Sequence, residues 1–133
     1  LPGSSNGSID SSYMTIMDIA PTLLEAAGAP VPSHFLGRSQ FQRIQGGEPA
    51  YGPSDIVAFE LFGRRSVTQG KWKALYQNPP YGTGEWQLYD LTTDPGEQED
   101  LSRKHPELRQ SLINAWDKYA QEVGVILPDS TPR

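Results

Sequence analysis

The stretch IVAFELFGRRSVTQGKWKALYQNPPYGTGEWQLYDL, residues 56–91, decides the fold. Its runs 56–62, 65–69, 71–77 and 86–91 are rich in β-branched and aromatic residues and are separated by Gly, Asn and Pro. Short runs of this composition joined by turn-formers predict four strands in an antiparallel meander. With Gln69 and Gly70 as a two-residue turn, Thr68 faces Lys71, Val67 faces Trp72 and Arg65 faces Ala74, and opposed residues share a sheet face. One face then carries Val67, Trp72, Ala74, Tyr76 and Arg65, and the other Ser66, Thr68, Lys71 and Lys73. The segment NPPYGTG, 78–84, reads as a wider loop stiffened by its prolines.

Downstream, Leu108, Leu112, Trp116, Tyr119 and Val123 recur at spacings of three and four, with Pro106 near the start and Gly124 after the end. That is an amphipathic helix whose stripe packs on the sheet. Burying Trp116 against Trp72 or Trp86 contributes about 4–6 kcal/mol as an upper bound, from about 150–250 Å² at about 25 cal/mol/Å². Upstream, Ile16, Ile19, Ala20, Leu23, Leu24 and Ala27 also follow helical spacing. Asp18 reads as the N-cap, Pro21 falls in the first turn, and Gly28 and Pro30 stop the helix. Residues 1–12 read as a flexible entry rich in Gly, Ser and Asn. Residues 31–54 form an extended connection with one short helical turn, and a connection this long is expected to lie against something. The predicted class is α+β, with 1–54 holding the entry, helix and connection, and 55–133 a four-stranded antiparallel sheet packed by a C-terminal helix.

Composition narrows the chemistry. The 133 residues fit one ordinary domain and are few for a complete hydrolase with metal and cofactor sites. A formal charge of −5 argues against a nonspecific nucleic-acid binder, which needs a concentrated basic surface. No apolar run reaches membrane-spanning length and no signal segment opens the chain. With no cysteine and only His34 and His105 as imidazoles, thiolate zinc sites, cysteine nucleophiles and histidine metal clusters drop out.

The remaining candidates are weighed against structural roles. No pair of carboxylates stands out by spacing as acid and base. The acidic group Asp94, Glu97, Glu99 and Asp100 lacks the alternating ligand spacing of a calcium loop and reads as a solvated surface loop. Arg64, Arg65, Lys71 and Lys73 surround the central hairpin. Arg64 and Arg65 are the candidate contacts for an anionic substrate, whereas Arg65 on the apolar face would need a partner, for which Glu60 is the nearest carboxylate. His34 lies in a loop with no nucleophile beside it, and His105 reads as a helix-start residue. Trp72, Tyr76, Tyr81, Trp86 and Tyr89 serve either as a sugar-stacking platform or as core.

Three segments in order resemble the C-terminal part of type I, formylglycine-dependent sulfatases of the arylsulfatase kind: TIMDIAPTLLEAAGAP at 15–30, FELFGRRSVTQGKWKALY at 59–76, and LYDL, DPGE and DL within 88–101. The resemblance implies an alkaline-phosphatase-like catalytic domain upstream, whose last helix would be the one near residue 20, followed by a small C-terminal subdomain. It also implies, for the parent enzyme, sulfate-ester hydrolysis with formylglycine and calcium. This chain lacks the Cys/Ser-x-Pro-x-Arg motif that yields formylglycine; its Ser-Thr-Pro-Arg end, 130–133, is one residue short. The paired acidic calcium ligands are absent as well. The expectation is therefore a fragment without catalytic or metal residues, which packs against the missing N-terminal catalytic domain and lends a pocket rim through Arg64 and Arg65. The alternatives are a binding module for sugar or protein with the same fold, and an oligomerisation domain. Substrate, native oligomer and compartment stay open, export being common among bacterial relatives.

Overall fold

A computed structural model describes residues 9–128. The first eight residues of the entry and the Ser-Thr-Pro-Arg end lie outside the described residues. The backbone forms two compact units, Leu1–Gly52 and Pro53–Arg133.

In the second unit, β1 (Ile56–Leu61), β2 (Arg64–Gln69), β3 (Trp72–Tyr76) and β4 (Trp86–Asp90) make one sheet in the order β1-β2-β3-β4, each neighbour antiparallel. The meander is as the sequence predicts, but the β2–β3 turn is not. It is made by Gly70 and Lys71, so that Gln69 pairs with Trp72, Val67 with Ala74 and Arg65 with Tyr76. Gly70 takes φ +56°, as the first position of this hairpin turn requires, and a Cβ there would stand 2.9 Å from the Pro53 carbonyl oxygen. Each pair moves by two residues, an even shift that leaves every side chain on its expected face. A second difference lies at Phe62, which the sequence places in the first strand. It forms the β1–β2 turn with Gly63, at φ +53° and +82°.

The helix α3 (Pro106–Val123) covers one face, with Leu112 and Trp116 buried on Ala58, Val67, Ala74 and Leu88. Trp116 meets Trp86 with ring centroids 5.9 Å apart, and its Nε1–H donates to the Phe59 carbonyl at 3.1 Å. Trp72 instead lies on His105, the residue before α3. Val123 departs from the predicted stripe and is exposed. The chain reverses at left-handed Gly124, and Val125 packs on the core. The outer edge of β4 is closed by the following loop, where Leu101 N–H donates to Leu88 O at 2.8 Å and Asp100 Oδ1 accepts from Leu88 N–H at 3.0 Å.

In the first unit a 3-10 turn, Ile16–Asp18, leads into α1 (Ile19–Ala26), and the connection contains one short helix, α2 (Phe41–Ile44). Asp18 stands at the N-cap position of α1, as the sequence predicts, but its fully buried carboxylate makes no cap hydrogen bond to that helix. Its carboxylate accepts from Thr15 N–H at 2.7 Å, Arg38 N–H at 2.8 Å, Gln40 Nε2 at 3.2 Å and Tyr51 Oη at 2.6 Å. Thr22 Oγ1 donates to Asp18 O and accepts from Gln40 N–H, so the connection is tied to α1 by polar groups. Gly37 passes so close that a Cβ would fall 2.0 Å from Met17 O. The apolar stripe of α1 turns outward, with Ile16, Ile19 and Leu23 exposed.

Candidate functional site

Arg64 and Arg65 are neighbours in β2 and therefore point to opposite faces. Arg65 belongs to the helix-covered face, where its guanidinium carbon lies 4.5 Å from the Tyr76 ring centroid and 5.3 Å from that of Trp116. The expected pairing with Glu60 does not form. Glu60 stands opposite Arg65 in the register, but its Oε1 accepts from Gly63 N–H at 2.6 Å, bracing the Phe62-Gly63 turn. Aromatic faces take the place of the carboxylate, since a weakly hydrated planar cation packs on rings without losing its charge.

Arg64 is exposed, and its guanidinium carbon lies 5.2 Å from the ring centroid of Tyr81, itself exposed. Tyr81 sits in the β3–β4 loop, at the same end of the sheet as the β1–β2 turn. The loop is pinned by Tyr81 N–H and Gly82 N–H, both donating to Asn78 O at 3.1 Å, and by Gly84 N–H donating to Gln77 O at 3.0 Å. Phe62 stands in the adjoining turn with 84% of its surface exposed. Counting residues from the β-run to Gly63 could have placed Phe62 in that turn. The Arg64–Tyr81 contact had no local sequence signal.

The other candidates resolve into structural roles. Tyr89 is buried, Trp72, Tyr76 and Trp86 are half-buried around the core, and of the five aromatics named from sequence only Tyr81 is exposed. Lys71 and Asp90 pair at 2.6 Å, and this hydrogen bond, aided by Thr92, holds the Asp90 carboxyl down at about 2. Lys73 pairs with Glu97 at 2.6 Å. The acidic loop lies at the surface, as the sequence predicts, and its carboxylates also serve as fastenings. Asp94 Oδ2 accepts from Gln98 N–H and Glu99 N–H, Glu99 meets Lys104, and Asp100 serves β4 as above. His34 packs edge-on against Phe35 beside a shallow depression lined by Met17, Ala20, Leu36 and Gly37.

The residues present do not fit a calcium ion or a formylglycine. Among the described residues no three His, Asp or Glu side chains gather at metal-binding distance, and the chain has no cysteine. No helix among the described residues is long and apolar enough to cross a membrane.

No family model matches the chain. It is 38% identical over 127 residues to an uncharacterized sulfatase of Schizosaccharomyces pombe, a match covering 89% of this chain and 23% of the relative. Arylsulfatase K of Bos taurus is 29% identical over 116 residues, 77% of this chain and 21% of that one. The chain thus spans less than a quarter of the length of the curated relatives it matches. Among solved structures, Ps i-CgsB superposes with a TM-score of 0.66 at 24% identity, over 83% of this chain and 25% of its own. A 2-O GAG sulfatase gives 0.61 at 24% identity, over 79% and 24%.

Proposed function

The chain is a C-terminal region of a sulfatase, and on that premise we propose that it serves a longer sulfate-ester hydrolase as a non-catalytic packing domain with a pocket rim. Residues 1–54 then supply the last helix and connection of the catalytic domain, and 55–133 the small α+β subdomain. The observation that carries this reading is the pairing of a 38% identical match along most of the chain with only 23% of the relative's length. The remainder of such an enzyme holds the formylglycine and calcium that supply its sulfate-ester chemistry. This chain's own residues do not fit those groups, so no step of the reaction is assigned to them.

On the rim, Arg64 is the contact residue and Arg65 stands behind it, its charge held between Tyr76 and Trp116. An exposed guanidinium in a fixed position suits a sulfate or carboxylate oxygen pair. Two structural neighbours were solved with carbohydrates, Ps i-CgsB with k-i-k-neocarrahexaose and another with its substrate D-glucosamine-2-N,6-O-disulfate, which favours a saccharide over a small aryl ester.

The test begins with the coding DNA upstream of Leu1 and continues with hydrolysis of a sulfated saccharide beside an aryl sulfate. A Cys/Ser-x-Pro-x-Arg motif upstream, turnover by the longer polypeptide and none by the 133-residue chain are the expected results. Turnover by the chain alone, or an unrelated domain upstream, overturns the reading and moves a free-standing binding module to first place.

A further inference from the structure

One end of the sheet carries a group of features that the stability of the fold does not call for. Phe62 occupies the left-handed region at φ +53° with 84% of its surface in solvent. A bulky residue there is strained, and the strain is relieved by Gly, which the turn already uses at the next position. At the same end, Tyr81 is 76% exposed on a loop fastened by three backbone hydrogen bonds, and Arg64 lies across its ring at 5.2 Å. Glu60 holds the turn from below through Gly63 N–H. The turn and the loop adjoin, since a Cβ on Gly63 would stand 2.6 Å from Asn78 Nδ2. Two exposed aromatic rings on braced turns with a cation on one of them present both a stacking surface and an anion contact, and neither ring is buried by anything in the second unit.

We infer that Phe62, Arg64 and Tyr81 form a binding site for a sugar ring bearing an anionic substituent. The sugar's C–H faces pack on both Tyr81 and Phe62, and its sulfate or carboxylate meets the Arg64 guanidinium. The inference rests on the pocket-rim reading for its place in the parent enzyme, where it would grip a substrate group other than the ester being cleaved. Binding itself is a property of this chain. Trp72, Trp86 and Trp116 lie in or around the core, so tryptophan fluorescence is a poor reporter and residue-resolved detection is needed.

The experiment is an amide and side-chain NMR titration of the 133-residue chain with glucose 6-sulfate, beside glucose alone and inorganic sulfate alone. Saturable shifts centred on Phe62, Arg64 and Tyr81, stronger for glucose 6-sulfate than for either control, are expected. Tyr81→Ala and Phe62→Gly each weaken that binding by about two- to fivefold, the loss of one exposed ring contact. Both positions are solvent-exposed and Gly suits the Phe62 backbone, so both variants fold, and unchanged dispersion of the core resonances checks it. No saturable shift at these residues, or shifts as large with inorganic sulfate, overturns the site. The upstream reading frame and the turnover assay test the sulfatase reading separately, so the two can fail independently.

Discussion

Asp18 shows how one residue can organise a unit. Burial pushes its carboxyl up, but hydrogen bonds from Tyr51, Thr15, Arg38 and Gln40 outweigh that and hold it below the ordinary value. Asp18→Asn keeps the shape but turns an acceptor into a donor facing donors. The first unit should lose about 2–3 kcal/mol, read by urea denaturation of the variant against the parent chain. Asp18 and Tyr51, joined by a 2.6 Å hydrogen bond, contribute to stability with opposite dependences on pH. A depressed Asp18 contributes stability that is present above about pH 3.9, its unfolded value, and lost as pH falls through the lower folded one. Tyr51 is pushed up to about 12 by burial and by its hydrogen bond to Asp18. Its contribution is therefore full below about pH 10 and is lost as pH rises toward 12. Melting temperatures across pH should fall at both ends, and Tyr51→Phe should remove the part of the alkaline fall that belongs to this phenol; an unchanged alkaline limb would refute the assignment. The sequence placed Asp18 at the N-cap position, which it holds, and its bond from Thr15 N–H is local, but three further partners lie 20, 22 and 33 residues away, where no local pattern shows them.

At the scale of elements, the sheet and α3 were legible because their signals are local: period-two strands, a three-and-four stripe, Pro106 before and Gly124 after. What was not legible depended on contacts between elements. The β2–β3 turn stands one residue on, with Gly70 at its first position where φ is positive and only a glycine fits beside the Pro53 backbone, and Glu60 accepts from Gly63 N–H in the Phe62-Gly63 turn instead of pairing with Arg65. The rim was half readable, since two arginines were evident and the ring beneath Arg64 was not. Trp116 ties the element set together, touching Trp86, Arg65 and the β1 backbone at once. Trp116→Ala should cost the second unit about 3–5 kcal/mol, from lost burial and the cavity left behind. Trp116→Phe should cost less but leave the Phe59 carbonyl without its donor, about 1 kcal/mol of the total. Thermal unfolding followed by near-ultraviolet circular dichroism separates the two, and equal losses for both variants would mean that the ring's burial contributes nothing beyond the lost indole N–H.

For the molecule as a whole, the two units manage their surfaces differently. In the second, α3 covers one sheet face and the loop at Asp100–Leu101 closes the β4 edge. In the first, the polar side of α1 faces inward around Asp18 and Thr22 while Ile16, Ile19 and Leu23 stand in solvent. An amphipathic helix with its apolar stripe outward gains nothing from that stripe in isolation, and such a surface marks an interface. The relatives, more than four times as long as the matched region, have chain enough to cover it. On its own, the 133-residue chain should self-associate through this stripe despite its formal charge of −5, because like-charge repulsion is screened beyond roughly 8–10 Å at physiological salt. Sedimentation velocity over a range of concentrations should show reversible growth that weakens in an Ile16→Glu, Leu23→Glu double variant. Both residues are exposed and on the face away from Asp18, so the variant should melt as the parent does. Association that persists unchanged would move the interface elsewhere, first to the edge strand β1, where Ile56 and Leu61 are exposed. Loss of association would locate the sticky surface on α1. It would not by itself make the dimer native, since an exposed apolar stripe associates with whatever apolar surface it meets.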